Sequence, residues 1–260
     1  MERTAVVVAG LVVALAAGVR GVWSPCGLSM LSTITPMGEA GRGRRFAPTA
    51  RWYVVGAACG GMSLGAVLAA AAWGVATWDP GGAVTTTAVA VAAAVAMASD
   101  ARVGGFSLPV HRRQVNERWL DQYRPWVYGA GFGWQIGTGF CTYIVTAANY
   151  LLVVLAASSR SPVGALAMGV LFGLVRGLAV LAARNLRTFE ALQACHSWLQ
   201  RTGPFVRDVT IGVEGAAALV VVGVRWPAAV ALLALGEVAV FAATVPQRQA
   251  PACSLDARRR

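Results

Sequence analysis

Two cysteines lie inside strongly apolar segments of the sequence, at places where a helix is predicted to break. Cys26 directly follows Pro25 in GVWSPCGLSM, and Cys141 ends the glycine-rich run GAGFGWQIGTGFC. A thiolate is a nucleophile, and two thiols that meet can cycle between a dithiol and a disulfide. Cysteines in membrane helices also serve as small packing residues. The residue types therefore predict either a redox pair or two packing residues, and both interpretations stay open.

Charged side chains within apolar stretches are a second chemical feature. A charge in such a stretch is costly and normally has a partner inside the bundle. The residues of this kind are Arg20, Arg176, Glu214 and Glu237. Arg20 is six residues before Cys26, about 9 Å along a helix, and a nearby cation favours the thiolate. Arg20 or Arg176 can instead form a structural ion pair with Glu214, and we favour that interpretation.

The other cysteines and the histidines predict no metal site. Cys59 is expected to pack between helices, Cys195 to lie on an apolar helix stripe, and Cys253 to be an exposed thiol. We expect His111 to join the charged loop around it and His196 to face solvent. Neither histidine has a second ligand at metal-binding spacing. We therefore assign neither a metal nor a cofactor.

The composition indicates an integral membrane protein. Of the 260 residues, 57% are hydrophobic and only 13% are charged, whereas soluble domains carry about 25% charged residues. The mean hydropathy is +0.61, and the net charge of +11 comes from arginine alone. No aromatic–basic motif accompanies this charge, which argues against nucleic-acid binding. Residues 1–18 resemble a signal peptide, but an uncleaved first span is favoured because apolar sequence resumes at once.

Seven apolar segments are long enough to suggest membrane spans. Their approximate ranges are 5–36 (interrupted near Pro25), 52–77, 83–99, 126–157, 162–183, 206–224 and 226–245. The division between the last two depends only on the sequence RWP, so six spans remain an alternative. Between the fifth and sixth spans, apolar residues recur every three to four positions from Leu186 to Leu199. That periodicity predicts a helix lying along the membrane surface.

Arginines set the expected orientation. Basic residues occupy every second loop and the tail at 246–260. The positive-inside rule then places the N-terminus outside and the C-terminus in the cytoplasm. An odd number of spans agrees with this pattern, because losing one span would leave the basic tail outside. The expected location is the cell membrane, with the lipid bilayer as the surrounding medium.

The predicted fold is an all-α polytopic bundle with an internal repeat. The first and fourth spans are both polar, irregular and centred on a cysteine, and three spans separate their starts. When a repeat unit has an odd number of spans, its second copy enters the membrane from the side opposite to the first copy, as in inverted-repeat transporters. We predict a transmembrane domain over 1–245, with repeats at about 5–100 and 126–224 and an extra helix at about 226–245. The residues expected to shape the breaks are Pro25, Gly27, Pro36 and Gly139.

The segment SPCGLSMLSTITP, residues 24–36, resembles the first-span motif of the CcdA family, which includes the transmembrane domain of DsbD. The resemblance implies two three-span inverted repeats and a cysteine pair, Cys26 with Cys141, that carries electrons in cytochrome c biogenesis. It also implies cytoplasmic thioredoxin as the donor and an extracytoplasmic thiol protein as the acceptor. The sequence departs from the family pattern at Ser29, where the family usually has proline.

The leading functional expectation is therefore a membrane thiol–disulfide exchanger, a possible oxidoreductase. One thiolate would attack a partner disulfide and the second would resolve the mixed disulfide. Two alternatives use the same inverted-repeat frame. The first is a small-solute or ion transporter that uses the polar broken helices, and the second is a non-catalytic membrane subunit.

Overall fold

The computed structural model describes residues 2–109, 119–227, 234–236 and 238. Nearly all of the described chain is helical, and it contains no β-strand. The all-α prediction is therefore confirmed. Several predicted features lie outside the described residues: Glu237, His111, Cys253, most of the extra helix at 226–245 and the basic tail.

The described residues form ten α-helices. In chain order they are α1 (Glu2–Arg20), α2 (Pro25–Thr33), α3 (Pro36–Gly41), α4 (Phe46–Trp78), α5 (Gly82–Asp100), α6 (Trp119–Gln122), α7 (Pro125–Thr138), α8 (Ala148–Ser158), α9 (Pro162–Leu178) and α10 (Phe189–Arg225). Short 3₁₀ segments follow α1, α5 and α9.

Four helical segments of the described chain are long and apolar enough to cross a membrane. They are Arg3–Trp23, Phe46–Trp78, Gly82–Asp100 and Pro162–Asn185. Each has at least 19 residues, close to the roughly 20 that the hydrocarbon core requires. The last three contain the second, third and fifth predicted spans, and Arg3–Trp23 covers the part of the first predicted span that precedes Ser24. A membrane protein is therefore consistent with the structure, as the composition predicted.

The first predicted span is broken at two points. Helix α1 ends at Arg20, a single 3₁₀ turn follows, and Ser24 is extended before α2 begins at Pro25. A second extended residue, Thr35, separates α2 from α3. The interruption expected near Pro25 is therefore present, and a further one occurs at the end of the span.

The fourth predicted span, at 126–157, is broken beside Cys141, as its glycine-rich sequence predicted. Helix α7 ends at Thr138 and α8 begins only at Ala148. Gly139 ends α7 with a φ of +70°, a backbone conformation that residues with a Cβ rarely adopt. At 14 and 11 residues, α7 and α8 are each too short to span a bilayer alone.

The predicted surface helix and the sixth predicted span belong to one helix, α10, which corrects the sequence interpretation of two separate helices. It has 37 residues and continues through Pro204. At 1.5 Å per residue it is about 55 Å long, well beyond the roughly 30 Å of a hydrocarbon core. The surface segment and the apolar segment are therefore mechanically continuous.

Helix α4 is the centre of the bundle and packs along both α7 and α9. Small residues allow this close approach. Gly56 of α4 lies against the Ala130 carbonyl of α7, and Gly133 of α7 lies against the Tyr53 carbonyl of α4. Glycines of α9 meet an adjoining side of α4, with Gly169 against the backbone of Gly65. Around this three-helix layer, α1 packs on α8, α9 and α10, and α5 packs on α8 and α10.

Candidate functional site

The SPCG stretch is a helix start. The Ser24 side chain accepts a hydrogen bond of 3.0 Å from the Gly27 backbone N–H, and Pro25 occupies the first turn of α2. These are the preferred residues for those two positions, because serine satisfies a free N–H and proline needs none. A Cβ on Gly27 would lie under 3.0 Å from the Val22 carbonyl, so only glycine fits there. Local backbone chemistry therefore accounts for serine, proline and glycine.

The same four-residue pattern starts two other helices. Thr35 accepts a hydrogen bond of 2.9 Å from the Gly38 N–H at the start of α3, and Ser161 accepts one of 3.2 Å from the Gly164 N–H at the start of α9. Both have proline in the first helical turn. The position taken by Cys26 holds Met37 in TPMG and Val163 in SPVG. This Ser/Thr-Pro-x-Gly pattern does not require cysteine.

The two cysteines of the predicted pair have different surroundings. Cys26 is 1% exposed and lies in an apolar cluster with Met30 and Ile34. Cys141 is half-buried and, together with Cys59, lines a cavity of about 780 Å³ whose walls are mainly apolar. Cys59 was expected to pack between helices, but it is exposed and lines this cavity instead.

Arg176 lies between the two helix breaks. It is 3% exposed, and its guanidinium stacks on the Phe172 ring with 5.4 Å between the guanidinium carbon and the ring centroid. A Cβ built on Gly21 would lie 2.9 Å from its Nε, and one built on Gly139 would lie 3.5 Å from its Nη1. The side chain therefore contacts the end of α1 and the end of α7 together. Its Nη2 has no hydrogen-bond partner.

Glu214 is the most isolated of the three predicted charges that lie among the described residues. It is fully buried on α10, and neither carboxylate oxygen accepts a hydrogen bond. The structure therefore does not bring Arg20 or Arg176 into hydrogen-bond contact with it. Arg20 lies instead within electrostatic range of Asp100 and Arg207, neither of which the sequence interpretation had singled out.

A polar cavity of about 210 Å³ surrounds that group, at the meeting point of α1, α5, the 139–147 segment and α10. We call it the arginine chamber. Its charged and polar lining includes Arg20, Asp100, Arg102, Ser107, Tyr150 and Arg207. These residues are far apart in sequence, which is why no short motif revealed the chamber.

Asp100 forms the fixed wall of the chamber. Its carboxylate accepts hydrogen bonds from the Thr146 hydroxyl and from the Ala147 backbone N–H, the latter at 2.7 Å. The two bonds connect the end of α5 to the chain just before α8. Because these contacts already occupy the carboxylate, Asp100 is an anchor for the irregular 139–147 segment as well as a local negative charge.

A second polar group, around Glu39, was also missed. Glu39 is fully buried and accepts hydrogen bonds from the Tyr128 hydroxyl, from Thr49 at 2.6 Å and from Arg42 at 3.4 Å. These contacts join α3 to α4 and α7. In the sequence, Glu39 belongs to the basic stretch GEAGRGRR and looks like a loop residue; its place four residues after the cap Thr35 was the usable clue.

The first half of α10 differs in part from the expected surface helix. Leu199 is buried, and burial raises the pKa of the Cys195 thiol, as expected for the apolar stripe. His196, however, is half-buried, and its Nε2 lies 3.0 Å from the Ser32 hydroxyl of α2. It therefore links α10 to the broken first span instead of facing solvent.

Comparison with known proteins gives the family. No family profile and no solved structure matches the chain. Methylamine utilization protein MauF of Paracoccus versutus is 32% identical over 192 residues, which cover 72% of this chain and 68% of the relative. The chain belongs to the MauF family. MauF of Methylorubrum extorquens is 30% identical over 78% of this chain and 71% of the relative, and MauF of Methylophilus methylotrophus 30% over 74% and 66%.

Membership of the MauF family overturns the assignment to the CcdA family and, with it, the inferred thiol–disulfide exchange. The resemblance was drawn over about residues 5–225 but was specific only at residues 23–36, whereas the MauF match extends over most of the chain. The physical reason for the error is that SPCG is a helix-start pattern, in which cysteine happens to fill the variable position. Thioredoxin and an extracytoplasmic thiol protein were implied by the same resemblance and stay predictions without that support.

Proposed function

We propose that this protein is an integral membrane component of methylamine utilization. The observation that carries the proposal is the match to MauF over about three quarters of the chain. The four long apolar helices support a location in the bilayer. The orientation with the N-terminus outside the cell membrane, inferred from the arginine-rich loops, is part of the same proposal.

We further propose that two inverted three-helix units build the bundle. The helix contacts support this arrangement because they occur in exchanged pairs. The second helix of the first unit, α4, packs on the broken first helix of the second unit at α7, and its counterpart α9 packs on α1 of the first unit. In the same way the third helix of the first unit, α5, packs on α8, and its counterpart α10 packs on α1. Both units then begin with a broken helix, and the seventh span of the original prediction would follow the second unit.

The functional part of this frame is proposed to be the region of the two breaks and the arginine chamber. Irregular backbone inside a membrane is tolerated only where protein or water satisfies it, and such places commonly hold ligands. Arg176 lies at the breaks and Arg20 faces the chamber. Fixed guanidinium groups bind and orient a ligand, so the proposed role is ligand binding.

The proposal is tested by complementation. A Paracoccus versutus strain without its own MauF is expected to regain growth on methylamine when it produces this protein in its membrane. Growth on a carbon source other than methylamine is the control, and an immunoblot of the membrane fraction verifies production. Full membrane production without restored growth on methylamine would contradict the proposed function.

In the complemented strain we expect Cys26→Ala to retain growth on methylamine, because the helix-start pattern does not use the thiol. We expect the same of Cys141→Ala, because Cys141 lines a mainly apolar cavity and alanine keeps that character. Ser24→Ala removes the cap and is expected to lower the free energy of unfolding by about 1 kcal/mol. Thermal unfolding of the purified variants measures this difference. Loss of growth in a cysteine variant that still accumulates normally would show that a thiol has a role beyond packing.

A further inference from the structure

We propose that the arginine chamber binds a small oxyanion, with a carboxylate or phosphate group held between Arg20 and Arg207. The inference rests on the functional region proposed above and adds the chemistry of its ligand. The two arginines come from helices at opposite ends of the sequence, α1 and α10. A bound anion would therefore also connect these helices.

The balance of positive and negative charges around the chamber is the first argument for a bound anion. Among the described residues, three arginines (Arg20, Arg102 and Arg207) line the chamber against one lining carboxylate, that of Asp100. Arg207 also has an ion pair beyond the lining, because its Nη2 lies 3.5 Å from the Asp208 carboxylate. The lining residues and Asp208 together therefore have an excess of one positive charge. Arg20 and Arg207 lie within electrostatic range of each other, and an anion between their guanidinium groups would offset the repulsion.

Two arginine N–H donors at the chamber have no acceptor, which is the second argument for a bound anion. The Nε–H groups of Arg20 and Arg207 are both inaccessible to solvent and have no acceptor. Buried donors without an acceptor are uncommon in folded proteins, and each calls for an explanation. Asp100 is already engaged by Thr146 and Ala147. An added oxyanion supplies the missing acceptors, and the planar guanidinium fork matches two oxygens of one anion.

The size of the chamber limits the ligand. Its volume of about 210 Å³ is smaller than the roughly 300–1,000 Å³ of typical pockets for drug-sized molecules. A free carboxylate or phosphate ion fits, and so does the phosphate of a lipid headgroup that enters from the membrane. The positive lining also disfavours methylammonium, so the proposed ligand is not the amine itself.

The test uses purified full-length protein in detergent and arginine modification by phenylglyoxal, read by mass spectrometry. In one arm sodium acetate or sodium phosphate is added, and in the other phosphatidylglycerol. We expect one of these probes to slow modification of Arg20 and Arg207 by at least about tenfold, while Arg201, on the same helix but outside the chamber, is unaffected. Sodium chloride at equal ionic strength and methylammonium chloride should give no protection.

Protection in the first arm identifies a free anion, and protection only by phosphatidylglycerol identifies a lipid phosphate. If neither arm protects the two arginines, the proposal is wrong. Because this readout uses the unaltered protein, it does not depend on variants that fold.

Variants give a second readout. Arg20→Gln and Arg207→Gln are each expected to raise the Kd of the protecting probe by about tenfold or more, since each removes charge-assisted hydrogen bonds. Arg201→Gln makes the same charge change on α10 and should leave the Kd unchanged. Unchanged affinity in both chamber variants would overturn the proposal. Normal complementation without anion binding would reject this inference alone, whereas binding without complementation would reject the proposed function alone.

Discussion

Gly56→Ala is expected to lower the free energy of unfolding by about 3 kcal/mol, although alanine is normally the better helix former. A Cβ at this position would lie well under 3.0 Å from the Ala130 carbonyl of α7. The obstacle is backbone, which no side-chain rotation can remove, so α4 and α7 must move apart. Overpacking in a close-packed interior costs roughly 1–3 kcal/mol, occasionally more, and here it affects the central helix pair.

Gly74→Ala is the matched control, because it lies on the same helix and its Cβ would meet nothing within 4 Å. We expect this variant to be as stable as the parent protein or up to about 1 kcal/mol more stable. Thermal unfolding in detergent, followed by a thiol-reactive or intrinsic fluorescence signal, compares the three proteins. Equal stability of the two variants would mean that α4 and α7 are not in close contact.

Tyr128→Phe is expected to destabilise the protein by about 2 kcal/mol. The substitution keeps the ring but removes the hydroxyl that donates to the buried Glu39 carboxylate. A hydrogen bond to a charged group contributes about 1.5–3 kcal/mol, and more is lost when the remaining partner stays buried. Since Glu39 joins α3 to α4 and α7, the variant should also loosen the chain between α2 and α4.

Tyr123→Phe is the control for that substitution. Tyr123 is 45% exposed, and removing its hydroxyl should change stability by less than about 0.5 kcal/mol. Thr49→Val removes the second hydroxyl donor to Glu39. The two losses should be non-additive, because both donors serve one carboxylate. Strict additivity in the double variant would show that the hydroxyls act separately.

The long apolar helices could be predicted from the sequence because their determinant is local. Predicted spans at 52–77, 83–99 and 162–183 lie within Phe46–Trp78, Gly82–Asp100 and Pro162–Asn185. A run of apolar residues must be helical in lipid whatever surrounds it. The continuity of α10 was missed because the amphipathic stripe from Leu186 to Leu199 and the apolar run at 206–224 were interpreted as separate helices, whereas packing against α1 and α5 supports one helix.

The candidate sites were harder to predict because they depend on contacts between distant residues. Arg20, Asp100 and Arg207 line the same chamber, and no spacing in the sequence predicts that they lie close together. The error over Cys26 had a different cause. Cys26 was interpreted as redox-active because cysteine is the reactive residue of SPCG. The serine, proline and glycine around it already specify a helix start, and the same pattern recurs at Thr35 and Ser161.

The central position of α4 has a consequence for the order of assembly during synthesis. Its two neighbours, α7 and α9, are made later, beginning at Pro125 and Pro162. Until they are made, α4 lies in the bilayer with both of its glycine-lined sides in contact with lipid. An apolar helix can do so because lipid satisfies it about as well as another helix does. Final assembly is therefore deferred until α9 has entered the membrane, and a chain that stops before that point lacks the partner for one side of its central helix.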